Sequence, residues 1–147
     1  ELLGYFDIIN ESGISYSINY ILGFPHETRS IVFDTIRFAK LIKGYDAITV
    51  SIFTPYRGTA LRSEAIQNGW LDEKQLTVHT TASSILQMPQ LTSMQIDGLI
   101  RTFPLYVEFD ESHWPDLERI ERFDPGSDEL FEQYARIYRE KHWKESS

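Results

Sequence analysis

The fold is decided by one stretch of sequence, Ile14-Ser15-Tyr16-Ser17-Ile18-Asn19-Tyr20-Ile21-Leu22, which stops at Gly23-Phe24-Pro25. Its β-branched and aromatic residues partly alternate with polar ones, which is typical of a strand. Residues 27–43 then show apolar positions at helical spacing, and a second β-rich run follows at residues 48–54. Two strands joined by a helical crossover of this length form a parallel pair. The sequence therefore predicts a βαβ unit.

Helices are predicted on both sides of this unit. A first helix, with apolar residues at helical spacing, ends near Asn10 and is followed by Gly13, a residue suited to a helix C-terminus. Thr59 can cap another helix that runs to about Asn68-Gly69. We therefore expect residues 1–70 to be α/β.

The second half has a different pattern, because helical spacing dominates it. Thr92 and Gln95 form a capping-box pair, and the helix that they begin should kink or end at Pro104. A short helix should start near Pro115, and a last one at Ser127. Residues 71–147 are therefore predicted to be helical, with an irregular stretch at residues 87–91.

Composition excludes several classes of function. The 147 residues carry a net charge of -8 and contain no cysteine. Nucleic-acid binding depends on clustered cations, so non-specific binding to DNA or RNA is not expected. Disulfides, zinc-thiolate sites and cysteine-bound clusters are excluded within this chain. No apolar run reaches the roughly 20 residues that span a bilayer, so we expect a cytoplasmic protein without membrane contact.

Two loops are the candidate binding region, because parallel strands place their carboxyl ends at the same edge of a sheet. These loops are residues 23–28 and 54–59. Glu27 can also be explained as a residue that favours a helix start through the helix dipole, and His26 as a solvated loop histidine. Arg57 alone is a weak indicator of an anion site. The residues by themselves identify no catalytic group and no metal site.

These loops resemble a known family. The segments Tyr20-Ile21-Leu22-Gly23-Phe24-Pro25-His26-Glu27-Thr28 and Ser51-Ile52-Phe53-Thr54-Pro55-Tyr56-Arg57-Gly58-Thr59-Ala60-Leu61 resemble late strands of radical S-adenosylmethionine enzymes. The closest similarity is to the group whose members often carry an N-terminal cobalamin-binding domain. Residues 88–92 and 103–106 are similar to the C-terminal region of that group. The resemblance implies a fragment of a partial TIM-like (β/α) barrel with two parallel strands, followed by a helical C-terminal extension.

The resemblance also implies cofactor-binding residues. In the family the fifth strand carries Gly-x-Ile-x-Gly-x-x-Glu and passes the adenine of S-adenosylmethionine. Ile21 and Gly23 match this motif, whereas Asn19 replaces its first glycine and Glu27 comes one residue late, with His26 at the motif position. On the next strand, the backbone near Phe53 and Thr54 would approach the adenine.

The family's reaction uses a four-iron four-sulfur cluster and S-adenosylmethionine, and in some members cobalamin. Since this chain has no cysteine, the cluster ligands would lie in an upstream half of the same polypeptide. The chain begins at Glu1 within a helical pattern, so we expect a C-terminal piece that is inactive alone. Oxidoreductase and methyltransferase activity both stay open, and the substrate would be a small molecule.

A second hypothesis is a non-catalytic α/β module whose acidic helices bind a partner protein. An exposed strand edge also invites pairing with another chain. We therefore expect a homodimer through the edge of the strand that holds Ile18 and Tyr20.

Overall fold

The computed structural model describes residues 2–77 and 83–143. This part of the chain is α/β, with one parallel pair of strands and helices. The elements in chain order are α1 (Leu2–Ser12), β1 (Ser17–Leu22), α2 (Arg29–Leu41), β2 (Ala47–Ile52), α3 (Ala60–Gln67), α4 (Ser93–Glu108), a 3-10 turn (Glu111–His113), α5 (Trp114–Ile120) and α6 (Pro125–Trp143).

The sheet confirms the predicted βαβ unit. β1 and β2 pair in parallel, with Ser17 opposite Ala47 and Leu22 opposite Ile52, and α2 forms the crossover. Both strands are shorter than predicted. β1 begins three residues late because β2 offers no strand residue opposite Ile14 or its two successors. β2 ends before Phe53, where the chain turns away toward α3.

Helix boundaries differ from the prediction by two residues at several ends. Thr28 caps α2, and the Thr28 side chain accepts a hydrogen bond from the Ile31 N–H. The helix therefore begins at Arg29 and not at residue 27. The buried face of α2 consists of Val32, Ile36 and Ala39. α1 continues to Ser12 and α6 begins at Pro125, whereas Thr59 caps α3 as expected.

The longest buried helix, α4, continues past its proline. The capping box of Thr92 and Gln95 is present. Of the two predicted effects of Pro104, a kink or an end of the helix, the end is wrong, because α4 runs to Glu108. Lys40 of α2 binds the C-terminal end of this helix. Its Nζ donates hydrogen bonds to three carbonyls at the C-terminal end of α4, those of Tyr106 (3.2 Å), Val107 (3.0 Å) and Phe109 (2.7 Å).

One hydrophobic core covers one face of the sheet and joins the two halves of the chain. Tyr20 of β1 packs against Phe103 of α4, with 4.8 Å between ring centroids. The predicted irregular stretch is confirmed, yet it belongs to the core, since Leu86, Met88 and Leu91 are buried. The helices therefore cover a single side of the two-stranded sheet.

Candidate functional site

The carboxyl ends of the two strands bring the predicted loops together. The Phe53 N–H donates to the Leu22 carbonyl at 2.7 Å, which continues the sheet by one bond. Beyond this point the rings of Phe24 and Phe53 lie 4.8 Å apart. Residues 23–28 and 54–59 thus lie side by side, as the parallel topology predicted. Whether they bind a cofactor stays a prediction.

The first loop is closed by its own glutamate. Gly23 has a φ of +91°, a conformation that only glycine adopts at low cost. Its N–H donates to Glu27 Oε2 at 2.5 Å. Glu27 precedes the cap of α2, so its carboxylate serves the loop and not the helix start, which corrects the dipole interpretation. The side chain is 9% exposed, and burial raises the pKa of this carboxyl although the Gly23 and Phe24 N–H groups oppose the rise.

His26 connects the first loop to α3. Its φ of +66° is a left-handed conformation that few residues other than glycine adopt. The Nε2 atom lies 2.8 Å from Glu64 Oε1, and the ring meets Trp70 edge-on at 4.9 Å. His26 is therefore solvated as predicted, with 60% of its side chain exposed, but it does have a partner in Glu64. The left-handed turn at His26 lets the Glu27 side chain fold back to Gly23. Glu27 makes this contact although it lies one residue beyond the family's motif position.

The second loop presents backbone groups next to the open edge of the sheet. The Thr54 carbonyl accepts from the Tyr56 N–H at 3.0 Å, and the Thr54 hydroxyl donates to the Ile52 carbonyl at 3.4 Å. Within the described residues, the Phe53 carbonyl and the Thr54 N–H have no hydrogen-bond partner. This loop therefore offers one acceptor and one donor on adjacent residues.

The sheet face opposite the core is polar and open. Asn19 Oδ1 accepts hydrogen bonds from Thr49 Oγ1 at 3.1 Å and from Ser51 Oγ at 3.3 Å. Ile21 lies on the same face and is 44% exposed. Of the five residues predicted from the family resemblance, Ile21 thus borders the open face, Gly23 and Glu27 belong to the first loop, and Phe53 and Thr54 lie where β2 leads into the second.

Sequence reasoning missed Arg62, which fixes the second loop. This arginine of α3 is 4% exposed. Its guanidinium donates to four oxygens, which belong to Pro55 (3.0 Å), Glu73 (3.1 Å), Gln75 (2.8 Å) and the Thr77 hydroxyl (3.4 Å). An arginine on a short helix carries no local signal for such a role, because its partners lie up to 15 residues away.

A separate cleft of about 570 Å³ lies between α2 and α5, away from the predicted residues. Its aromatic floor is formed by Phe33, Tyr106 and Trp114, whose rings meet edge to face. Arg29 holds Glu121 through two hydrogen bonds of 2.7 and 2.9 Å and lies over the Phe33 ring. The arginine is thus engaged by groups of the chain itself.

Residues 2–77 and 83–143 contain neither a metal-binding cluster nor a membrane-spanning helix. No group of three or more histidine, aspartate or glutamate side chains could hold a metal ion there. No helix of this part is long and apolar enough to cross a membrane.

Comparison with known proteins gives one relative of interest. The chain is 38% identical over 91 residues to an uncharacterized methyltransferase of Pyrococcus horikoshii. The match covers 62% of this chain but only 19% of that protein. No protein-family model matches the chain, and no solved structure matches it. The similarity therefore concerns a minor part of a much longer methyltransferase.

Proposed function

We propose that this chain is the C-terminal part of a radical S-adenosylmethionine enzyme, a methyltransferase or an iron-sulfur oxidoreductase. Residues 1–70 would contribute two strands of a partial TIM-like barrel, and residues 71–147 a helical extension. The motif resemblance supports this proposal, and so does the name of the Pyrococcus relative, of which a stretch is 38% identical to this chain.

The observation that carries the proposal is the one-sided packing of the sheet. In a (β/α) barrel the helices cover the outer face of the strands, while the inner face lines the interior. β1 and β2 pack against helices on one face only, since Tyr20 faces the helices and Asn19 and Ile21 lie on the open face, and this supports the proposal. A polar inner face is suited to a ligand cavity and less suited to a packed core.

The residues present fit S-adenosylmethionine. An adenine edge offers a donor and an acceptor, and the Phe53 carbonyl and the Thr54 N–H have no partner among the described residues. Gly23 adds no support, because the space beside its Cα is filled by the buried side chain of Ile96, which a Cβ there would meet at 3.1 Å. Ile21 would supply apolar contact on the open face. S-adenosylmethionine would supply the methyl group or the radical of the reaction.

The iron-sulfur cluster does not fit this chain. Such clusters are held by cysteine thiolates, and the 147 residues contain none. The ligands would have to come from an upstream half of the same polypeptide. For cobalamin, the motif resemblance is the only support.

Titration with S-adenosylmethionine followed by NMR tests the proposal. We expect saturable shifts confined to the amides of residues 20–28 and 52–59. Ile21→Asp should weaken binding about tenfold or more, because it places a charge on the open face. Ile137→Asp is the matched control, since Ile137 is an isoleucine of α6 with 53% exposure, and it should leave the shifts unchanged.

Two outcomes would count against the cofactor wall. The first is an absence of shifts from a demonstrably folded chain, and the second is equal binding by both variants. Either would favour the alternative of a non-catalytic α/β module that binds a partner protein. A small-molecule substrate, the cytoplasm as location and a homodimer through the edge of β1 remain predictions.

A further inference from the structure

A second cleft adjoins the second loop and is cationic. It has a volume of about 540 Å³ and is lined by Arg57, Gly58, Arg62, Ser63, Ile66, Glu73 and Lys74. Three of these side chains carry a positive charge and one a negative charge. Because the whole chain has a net charge of -8, this local excess of cations runs against the overall composition.

The charge of Arg62 is not neutralised by a carboxylate in the described part of the chain. Its guanidinium hydrogen bonds end on three carbonyls and one hydroxyl, all of which are uncharged. Carbonyl partners satisfy the donors but leave the charge in place. Arg62 therefore contributes a buried positive charge to the wall of the cleft.

Arg57 and Lys74 stand at the mouth of the cleft and are exposed. Neither takes part in an ion pair within residues 2–77 and 83–143. By contrast, Arg29, Arg37, Arg101, Arg119, Arg139 and Lys141 all pair with carboxylates. The two side chains at the mouth are thus free to meet an anion from solution.

We propose that this cleft binds the phosphate group of a small molecule. A phosphate dianion has enough oxygens to accept from an arginine and a lysine at once, and guanidinium groups match its geometry. The Ser63 hydroxyl also lies in the wall, where it donates to the Thr59 carbonyl at 3.3 Å. A volume of about 540 Å³ exceeds the needs of phosphate alone, which leaves room for the molecule that carries it.

The site extends the candidate region but does not depend on S-adenosylmethionine. Arg62 holds the carbonyl of Pro55, the residue after Thr54, so a ligand here would lie next to the second loop. Phosphate binding can nevertheless be measured without any other ligand. An absence of S-adenosylmethionine binding would therefore not contradict the phosphate site. Likewise, an absence of phosphate binding would not contradict the S-adenosylmethionine proposal.

The test is a phosphate titration of the full chain at constant ionic strength, followed through the backbone amides. Inorganic phosphate, glycerol 2-phosphate and acetate are compared. We expect saturable shifts at residues 57, 58, 63 and 74 with both phosphates, and at least tenfold weaker binding of acetate. Arg57→Gln and Lys74→Gln should each weaken phosphate binding about tenfold, as expected for loss of one charged hydrogen bond.

Charge-matched controls distinguish a site from general attraction. Arg136→Gln and Lys43→Gln remove exposed cations elsewhere and should leave the phosphate affinity unchanged. The proposal is overturned if phosphate shifts do not saturate, or if the controls weaken binding as much as the two cleft variants do. Binding of inorganic phosphate without binding of glycerol 2-phosphate would also overturn it, because the cleft would then exclude the carrier molecule.

Discussion

Helices α1 and α4 are both amphipathic, yet they differ in how far their apolar residues are buried. α4 buries residues on nearly every turn, whereas α1 buries none and exposes Leu2, Tyr5 and Ile8. The same contrast divides the sheet, whose core face packs against α4 while its other face is open. The hydrophobic core thus surrounds α4, whereas it contacts only one face of the sheet. Apolar residues of α1 and the open face of the sheet are suited to a surface that another part of a larger protein covers.

The largest expected effect comes from the core of α4. Phe103→Ala should lower the free energy of unfolding by about 3–5 kcal/mol, because the fully buried ring leaves a cavity. Ile8→Ala in α1 should change it by no more than about 0.5 kcal/mol. Urea denaturation of both variants measures the difference. A large loss in Ile8→Ala would show that α1 is covered in solution, for example by a second copy.

Substitutions of two helical glycines should change the free energy of unfolding by an intermediate amount, and they extend the comparison of α1 with α4. A side chain at Gly98 of α4 would meet the Cβ and the carbonyl oxygen of Glu121 at 2.8 Å, so Gly98→Ala should cost about 1–3 kcal/mol. Gly4 of α1 has nothing within 4 Å, and Gly4→Ala should stabilise the protein by up to about 1 kcal/mol. Thermal unfolding of the two variants shows whether Gly98→Ala lowers the midpoint temperature and Gly4→Ala raises it. A stabilised Gly98→Ala variant would mean that α4 and the start of the α5–α6 connection pack loosely.

The smallest expected effect concerns the buried carboxylate of the first loop. Burial raises the pKa of Glu27 in the folded protein above its ordinary value of 4.5. The folded state then binds a proton more tightly than the unfolded chain does. This stabilisation is complete below pH 4.5 and is lost as the pH rises through the raised pKa.

Glu27→Gln does not titrate at this position, so it isolates the contribution of the carboxyl. The unfolding free energy of the wild-type chain minus that of Glu27→Gln should fall between pH 4 and pH 7. Urea unfolding at both pH values gives this difference. A difference that stays constant with pH would show that the carboxyl is solvated and that the loop is more open than described.

Local patterns were enough to predict the βαβ unit, since the strand runs and the caps Thr59 and Thr92 depend on neighbouring residues. Parallel topology then predicted which loops would meet. Other features depend on residues far apart in sequence. Lys40 of α2 meets carbonyls at the end of α4, the partner of His26 is 38 residues away, and Arg62 reaches Thr77. No periodicity reports such contacts, and none reports that the carboxylate of Glu27 turns back to Gly23.

The position of α4 also has a consequence for synthesis of the chain. β1 and β2 are complete at Ile52, but the helix that covers their apolar face ends only at Glu108. At translation rates of about 5–20 residues per second, the ribosome needs roughly 3 to 11 seconds to add that interval. During this time α4 does not yet cover the apolar face of the nascent sheet. A chaperone that binds short apolar strands could bind this exposed face.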